Sequence, residues 1–233
     1  MILQLTRARR RWVLIDINTQ GDCLLANGKA CIRNHRRVLA HIRRMIAWAR
    51  KRNVLIISIS EVHPNSSSQV ADGCCVDGTE GQKKISYTLL GNRISFPADG
   101  CTDLPRDILR QYRQIILHKR TVDPFGEPRI DRLLSDVRAN EFVLIGTSAE
   151  GAVMETALGL LQRGKNVSVV VDAVGLHNRK QGRLALRKIE AKGAKLIETR
   201  KLAGTSHLKH VGICECKSCR GQSNKTSATI EAA

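Results

Sequence analysis

Apolar residues in this chain fall into short unbroken runs, separated by stretches of helical spacing. Residues 12–16 read Trp-Val-Leu-Ile-Asp, and runs at 54–59, 115–118, 142–145, 167–171 and 194–197 repeat the pattern. A strand covered on both faces shows such a run, whereas a half-exposed strand alternates. Between the first two runs, Val38, Leu39, Ile42, Met45, Ile46 and Ala49 recur at three- and four-residue intervals, which predicts a helix over 37–51. The same spacing predicts helices over 108–113, 129–138, 153–163 and 181–191, the last two closing at Gly164 and near Gly193. Residues 60–105 are rich in Gly, Pro, Ser and Asp and read as loop. Strands alternating with helices predict a three-layer α/β/α fold around a mostly parallel six-stranded sheet. Ligands of such sheets sit beyond the carboxyl ends of the strands. Asp16, Glu61, Lys119, Ala152 and Asp172 fall at or just past those ends, so one crevice is expected to gather them.

Composition changes this picture at a few points. A chain of 233 residues is long enough for one domain with a real core, expected over 1–204. A His/Cys-rich extension follows at 205–219, and residues 220–233 have little to bury and are expected to be disordered. No apolar run approaches the ~18–20 residues of a membrane span. The first residues place charge after a short apolar stretch, the reverse of a signal peptide, so a cytoplasmic protein without a membrane partner is expected. Eight cysteines in so patterned a chain suggest thiol or metal chemistry rather than a disulfide scaffold. The net charge of +18 and pI of about 10.1 attract polyanions. Aromatic residues are only 3% and no known nucleic-acid module is visible, so a nucleic-acid partner has charge in its favour but no motif.

The chemistry centres on residues 142–157, Phe-Val-Leu-Ile-Gly-Thr-Ser-Ala-Glu-Gly-Ala-Val-Met-Glu-Thr-Ala, which read as a buried strand, a sharp turn and a helix start. Asp16 stands in Val-Leu-Ile-Asp-Ile-Asn, Lys119 in Ile-Ile-Leu-His-Lys-Arg, and 163–173 read Arg-Gly-Lys-Asn-Val-Ser-Val-Val-Val-Asp-Ala. In order and spacing, from about residue 12 to 202, these segments resemble the isochorismatase-like cysteine hydrolases, the superfamily that includes nicotinamidases. The resemblance implies a catalytic Asp, Lys and Cys. Asp16 and Lys119 match, and Ala152 occupies the nucleophile position. It also implies an oxyanion turn, here Thr147, Ser148 and Gly151, at a helix N-terminus whose backbone N–H groups favour negative charge. A methyl group cannot attack a carbonyl, so the usual covalent chemistry is absent.

Two further segments resemble the nicotinamidase branch, in which D-x-H-P and H-C-V-x-G-T-x-G carry an Asp and two His around a metal. This chain has Ser60-Glu61-Val62-His63-Pro64, then Cys74-Cys75-Val76-Asp77-Gly78-Thr79-Glu80-Gly81. Glu61, His63 and Cys74 take the ligand positions, and all three types can bind zinc. A decayed site with a loop histidine and an inert thiol stands beside that reading. Separately, His207, His210, Cys214, Cys216 and Cys219 crowd thirteen residues, either as half of a zinc or redox site or as a reduced cysteine tail.

The expected function is hydrolysis of a small-molecule ligand without a sulfur nucleophile, with Asp16 as acid/base and Lys119 as its electrostatic partner. Isochorismatases of the same superfamily also lack the nucleophile. The alternatives are a pseudoenzyme that binds a metabolite or partner, and a basic nucleic-acid-associated protein. The resemblance further implies a homo-oligomer.

Overall fold

The computed structural model describes residues 10–64 and 73–205. Its strands are β1 (Arg10–Ile17), β2 (Leu55–Glu61), β3 (Arg93–Phe96), β4 (Gln114–Lys119), β5 (Ala139–Gly146), β6 (Val167–Val174) and β7 (Lys195–Ile197). They form one sheet in the order β3-β4-β2-β1-β5-β6-β7, every neighbouring pair parallel. The helices are α1 (Gly21–Leu24), α2 (His35–Lys51), α3 (Ile108–Gln111), α4 (Pro128–Asp136), α5 (Ala152–Gln162), α6 (Arg179–Ala191) and α7 (Thr199–Ala203).

The sheet has seven strands where six were expected. The addition, β3, lies at the edge, and its residues alternate between exposed and half-buried. An edge strand covered on one face has no unbroken apolar run to reveal it, and Arg-Ile-Ser-Phe hides inside the loop-rich stretch.

Strand alternation divides the core in two. Val13, Ile15, Ile17, Leu55, Ile57 and Ile59 point to one face, where Ile108, Ile130, Leu133, Val153 and Ile189 of α3 to α6 cover them. Leu14, Ile56, Val143 and Ile145 point to the other, against Val38, Ile42, Met45, Ile46 and Ala49 of α2. Fully burying each large apolar side chain contributes about 1.5–3 kcal/mol, so the two apolar faces drive the layering. Helix α7 packs beside α2. Local signals set several helix ends: Pro128 opens α4, and the Asn178 side chain accepts from Lys180 N and Gln181 N at the start of α6. No described helix is long and apolar enough to cross a membrane.

From β1 the chain builds outward through β2, and β5 then begins the other half on the opposite side of β1. That reversal leaves a crevice beyond the ends of β1 and β5, the usual ligand position in such a sheet.

Candidate functional site

The floor of this crevice is a close approach of two backbones. Ile17 pairs with Gly146 in register, and Gly146 has φ 119°. A Cβ at Gly146 would stand 1.9 Å from the Ile17 carbonyl oxygen, so no side chain fits. Thr147 follows, its N–H donating to Ile17 O at 2.9 Å and its hydroxyl to Asn18 O at 3.1 Å. The Thr147–Ser148 peptide is cis. Ser148 O then accepts from Gly151 N at 3.2 Å and Val153 N at 3.1 Å, while Ala149 N donates to Gly175 O at 2.8 Å. The N–H groups of Thr147 and Gly151, expected to face an oxyanion, are thus engaged inside the protein. Ala152 opens α5 and is buried with Ala149 and Val153 in the apolar cluster of the α3–α6 face.

Two ion pairs stand at the strand ends, one fully buried and one partly. Lys84 Nζ lies 2.7 Å from Asp16 Oδ2, which also accepts from the Ser58 hydroxyl at 3.0 Å. Lys119 Nζ lies 2.7 Å from Glu61 Oε2 and donates to Thr121 O at 2.8 Å. The expected partnership of Lys119 with Asp16 is therefore replaced: the ammonium on Asp16 belongs to Lys84. Strand parity supplies the reason. Asp16 alternates with the residues that face α3–α6 and shares the side of Leu14, whereas Lys119 shares the side of Ile115 and Leu117, toward α3–α6. Register pairs Glu61 directly with Lys119, and Asp16 with Ser58.

Glu61 is the better connected carboxylate. Its Oε1 meets His63 Nε2 at 2.9 Å, and its Oε2 also accepts from Asn18 Nδ2 at 2.8 Å. Asn18 reaches it from just past β1, at φ 45°. Gln20 fixes the backbone of Glu61 from both sides, accepting from its N–H at 2.8 Å and donating to its carbonyl at 2.7 Å. Burial works to raise the Glu61 carboxyl, but the Lys119 ammonium and the hydrogen bonds from Lys119, His63 and Asn18 prevail and hold it below its ordinary value. By contrast, Asp16 Oδ1 is buried with no hydrogen-bond partner among the described residues.

The expected zinc trio does not assemble. Among the described residues no three His, Cys, Asp or Glu side chains are arranged to hold a metal ion. Glu61 is neutralised by Lys119, His63 is turned onto Glu61, and Cys74 joins a separate thiol group. A hydrogen bond from Cys75 pulls the Cys74 thiol down to about 7, against burial. Cys75, whose Sγ lies 4.0 Å from that of Cys23, is pushed up by its hydrogen bonds with Cys23 and Cys74 and by burial. The residues present do not fit the metal. The second expected cluster, His207, His210, Cys214, Cys216 and Cys219, lies outside the described residues, as does the expected 220–233 tail.

Asp172 does not join the crevice. Its Oδ1 accepts from Thr199 N at 2.9 Å and Thr199 Oγ1 at 2.8 Å, and its Oδ2 lies 3.1 Å from His41 Nδ1, so it ties α7 to α2. The residues that sequence reasoning missed are Lys84, Ser58 and Gln20. Lys84 stands in the irregular segment before Ser86, brought in by an isolated bridge between Gln20 and Lys84, and no periodicity marks it. A cleft of about 270 Å³ is lined by Val62, His118 and Arg120, chain neighbours of Glu61, His63 and Lys119, together with Asp77, Gln82 and Ser95 among others.

A family model described as the isochorismatase domain matches residues 13–201. Among solved structures, a pyrazinamidase of Pyrococcus horikoshii in complex with zinc aligns over 81% of this chain and 99% of its own, at 19% identity and a TM-score of 0.64. An isochorismatase family protein from Desulfovibrio vulgaris aligns over 83% and 97%, at 20% identity and a TM-score of 0.65. The MAR1 ribonuclease from Caenorhabditis elegans aligns over 85% and 83%, at 20% identity and a TM-score of 0.59. At these identities the likeness shows the fold. No curated protein matches the sequence.

Proposed function

Starting from a chain that belongs to the isochorismatase domain family, we propose a small-molecule hydrolase that works without a sulfur nucleophile, its water activated by His63. The observation that carries this reading is the relay Lys119–Glu61–His63, with contacts of 2.7 and 2.9 Å. A carboxylate on one ring nitrogen fixes the tautomer and orientation of an imidazole, and steadies the charge the ring gains as a base. With Nε2–H donating to Glu61, His63 Nδ1 takes a proton from water. The water oxygen bonds to the substrate carbon, the bond from that carbon to the leaving group breaks, and His63 returns the proton to the leaving group. Lys119 and Asn18 keep Glu61 an acceptor throughout. His63 and Glu61 have side chains 16% and 20% exposed, while Asp16 is wholly buried and paired with Lys84, which favours His63 over Asp16 as the acid/base. Ala152 contributes no nucleophile, so no acyl-enzyme forms. No step runs through a metal, because the donor set does not fit one.

A second reading has a specific observation behind it. With the Thr147 and Gly151 N–H groups engaged, those two amides offer no oxyanion stabilisation, which suits a pocket that binds a metabolite without turning it over. Turnover by purified protein on a panel of pyrazinamide, nicotinamide and isochorismate separates the two. A short RNA joins the panel because one structural neighbour is a ribonuclease. Turnover abolished in His63→Gln and kept in Asp16→Asn supports the proposal. Turnover lost only in Asp16→Asn returns the role to Asp16. Ligand binding by calorimetry with no turnover, in folded protein, establishes the second reading.

A further inference from the structure

A dense patch of positive charge lies away from the strand-end site. Helix α2 carries no Asp or Glu in its seventeen residues, and its last turn adds Arg50 and Lys51, with Arg52 as its cap. Its apolar stripe, Val38, Ile42, Met45, Ile46 and Ala49, is fully used against the sheet. The polar face of the helix thus carries cations of a single sign, which a solvated face does not by itself require, although Arg50 also donates to Tyr87 O and Leu89 O. Beside them α7 presents Arg200 and Lys201. Between the two helices runs a groove of about 410 Å³, with Arg44, Lys51 and Arg52 on one wall, Arg200 and Lys201 on the other, and Trp48 at its floor.

Few acids offset this charge. Glu198 pairs with Arg200 Nε at 2.6 Å, and Asp172 is held by His41 and Thr199. Arg44 donates to Gly204 O, which fixes its guanidinium at the groove while leaving its charge uncancelled. The exposed basic face of α6 is built differently. Its residues Arg179, Lys180, Arg183 and Arg187 surround the exposed Leu184 in a cleft of about 570 Å³ lined by that one helix, with an apolar side chain at its centre. A recess with cations on two facing helices concentrates potential more than one lined by a single helix around an apolar side chain.

We propose that the α2–α7 groove binds nucleic acid through its phosphates, without reading base sequence. A polyanion is the partner that this cationic recess complements, its α2 wall running from Arg44 to Arg52 over about 13 Å. Base recognition is not provided for. Trp48 is only 6% exposed, so it cannot act as a stacking platform, and the contacts left are charge-assisted bonds from Arg and Lys to phosphate oxygens. This inference does not rest on the His63 reading, and none of its residues belongs to the strand-end site.

The test is fluorescence anisotropy with a labelled RNA of about 20 nucleotides, its duplex, and the matching DNA, across about 50–200 mM salt. The expected result is similar affinity for unrelated sequences and a steep loss with salt. The triple variant Lys51→Gln/Arg52→Gln/Lys201→Gln should weaken binding about tenfold or more and reduce the log–log salt slope by about two. The control triple Arg179→Gln/Arg183→Gln/Arg187→Gln should change both little. All six positions are solvent-facing, and melting temperatures within a few degrees of wild type confirm folded protein. The proposal is overturned by no binding at the lowest salt, by no effect of the first triple, or by equal effects of both. Phosphatidylserine vesicles that compete as well as unlabelled RNA would also overturn it, since the groove would then take any anionic surface.

Discussion

Lys84 Nζ sits 2.7 Å from Asp16 Oδ2, with both side chains out of solvent and the Ser58 hydroxyl on the same carboxylate oxygen. A buried pair of this kind adds little net stability over an apolar pair, but removing one partner strands the other charge. Lys84→Met should therefore destabilise the protein by about 3–5 kcal/mol. The double variant Asp16→Asn/Lys84→Met should recover part of that loss. Urea unfolding of the four proteins in the cycle gives the coupling, and additive losses would show that the pair is not the unit described.

Glu61 governs acid stability with a definite sign. Its carboxyl titrates below its ordinary value of 4.5 in the folded protein. Between the two values the unfolded chain binds more protons than the folded one, so stability falls as the pH falls. The Glu61 contribution is complete above about pH 4.5 and disappears as pH drops through the folded value. Urea titrations should show Glu61→Gln with a shallower acid limb than wild type in that window. Parallel limbs would place the effect on other carboxylates.

Gly146→Ala should be poorly tolerated. Its φ of 119° costs a residue with a side chain about 1–3 kcal/mol, and the added Cβ would lie 1.9 Å from Ile17 O, so the backbones of β1 and β5 must part. A lower melting temperature together with lost turnover is expected. Unchanged melting would mean that the strand ends adjust freely.

Cys74 should be the most readily alkylated of the Cys23, Cys74 and Cys75 group near neutral pH. Its thiol is brought to about 7 by the hydrogen bond from Cys75, whereas Cys75 is raised and buried. Timed iodoacetamide labelling with peptide mass spectrometry reads the order directly, and Cys75 labelling ahead of Cys74 would contradict the assigned donor and acceptor.

Much of the architecture was legible because burial on both faces writes itself into a run of residues. Leu14 and Ile15 are both apolar because each meets a helix layer, and Val38, Ile42 and Met45 repeat every third or fourth residue because one side of α2 meets the sheet. Strand β3 escaped notice since only Ile94 and Phe96 pack inward, and two alternating positions leave no run. The site was legible as a set of residues near strand ends but not as a set of contacts.

What the sequence by itself determined is therefore the layered parallel sheet, the glycine-bearing turn before α5 and the absence of sulfur at Ala152. These depend on local pattern and residue identity. Only the tertiary structure decided which charge meets which. Register sets Glu61 against Lys119, alternation sends Asp16 toward the α2 side of the sheet, and an irregular segment with no periodicity delivers Lys84 to it. Ion pairing acts over a few ångströms between residues 58 and 68 positions apart, a distance that only the folded backbone closes.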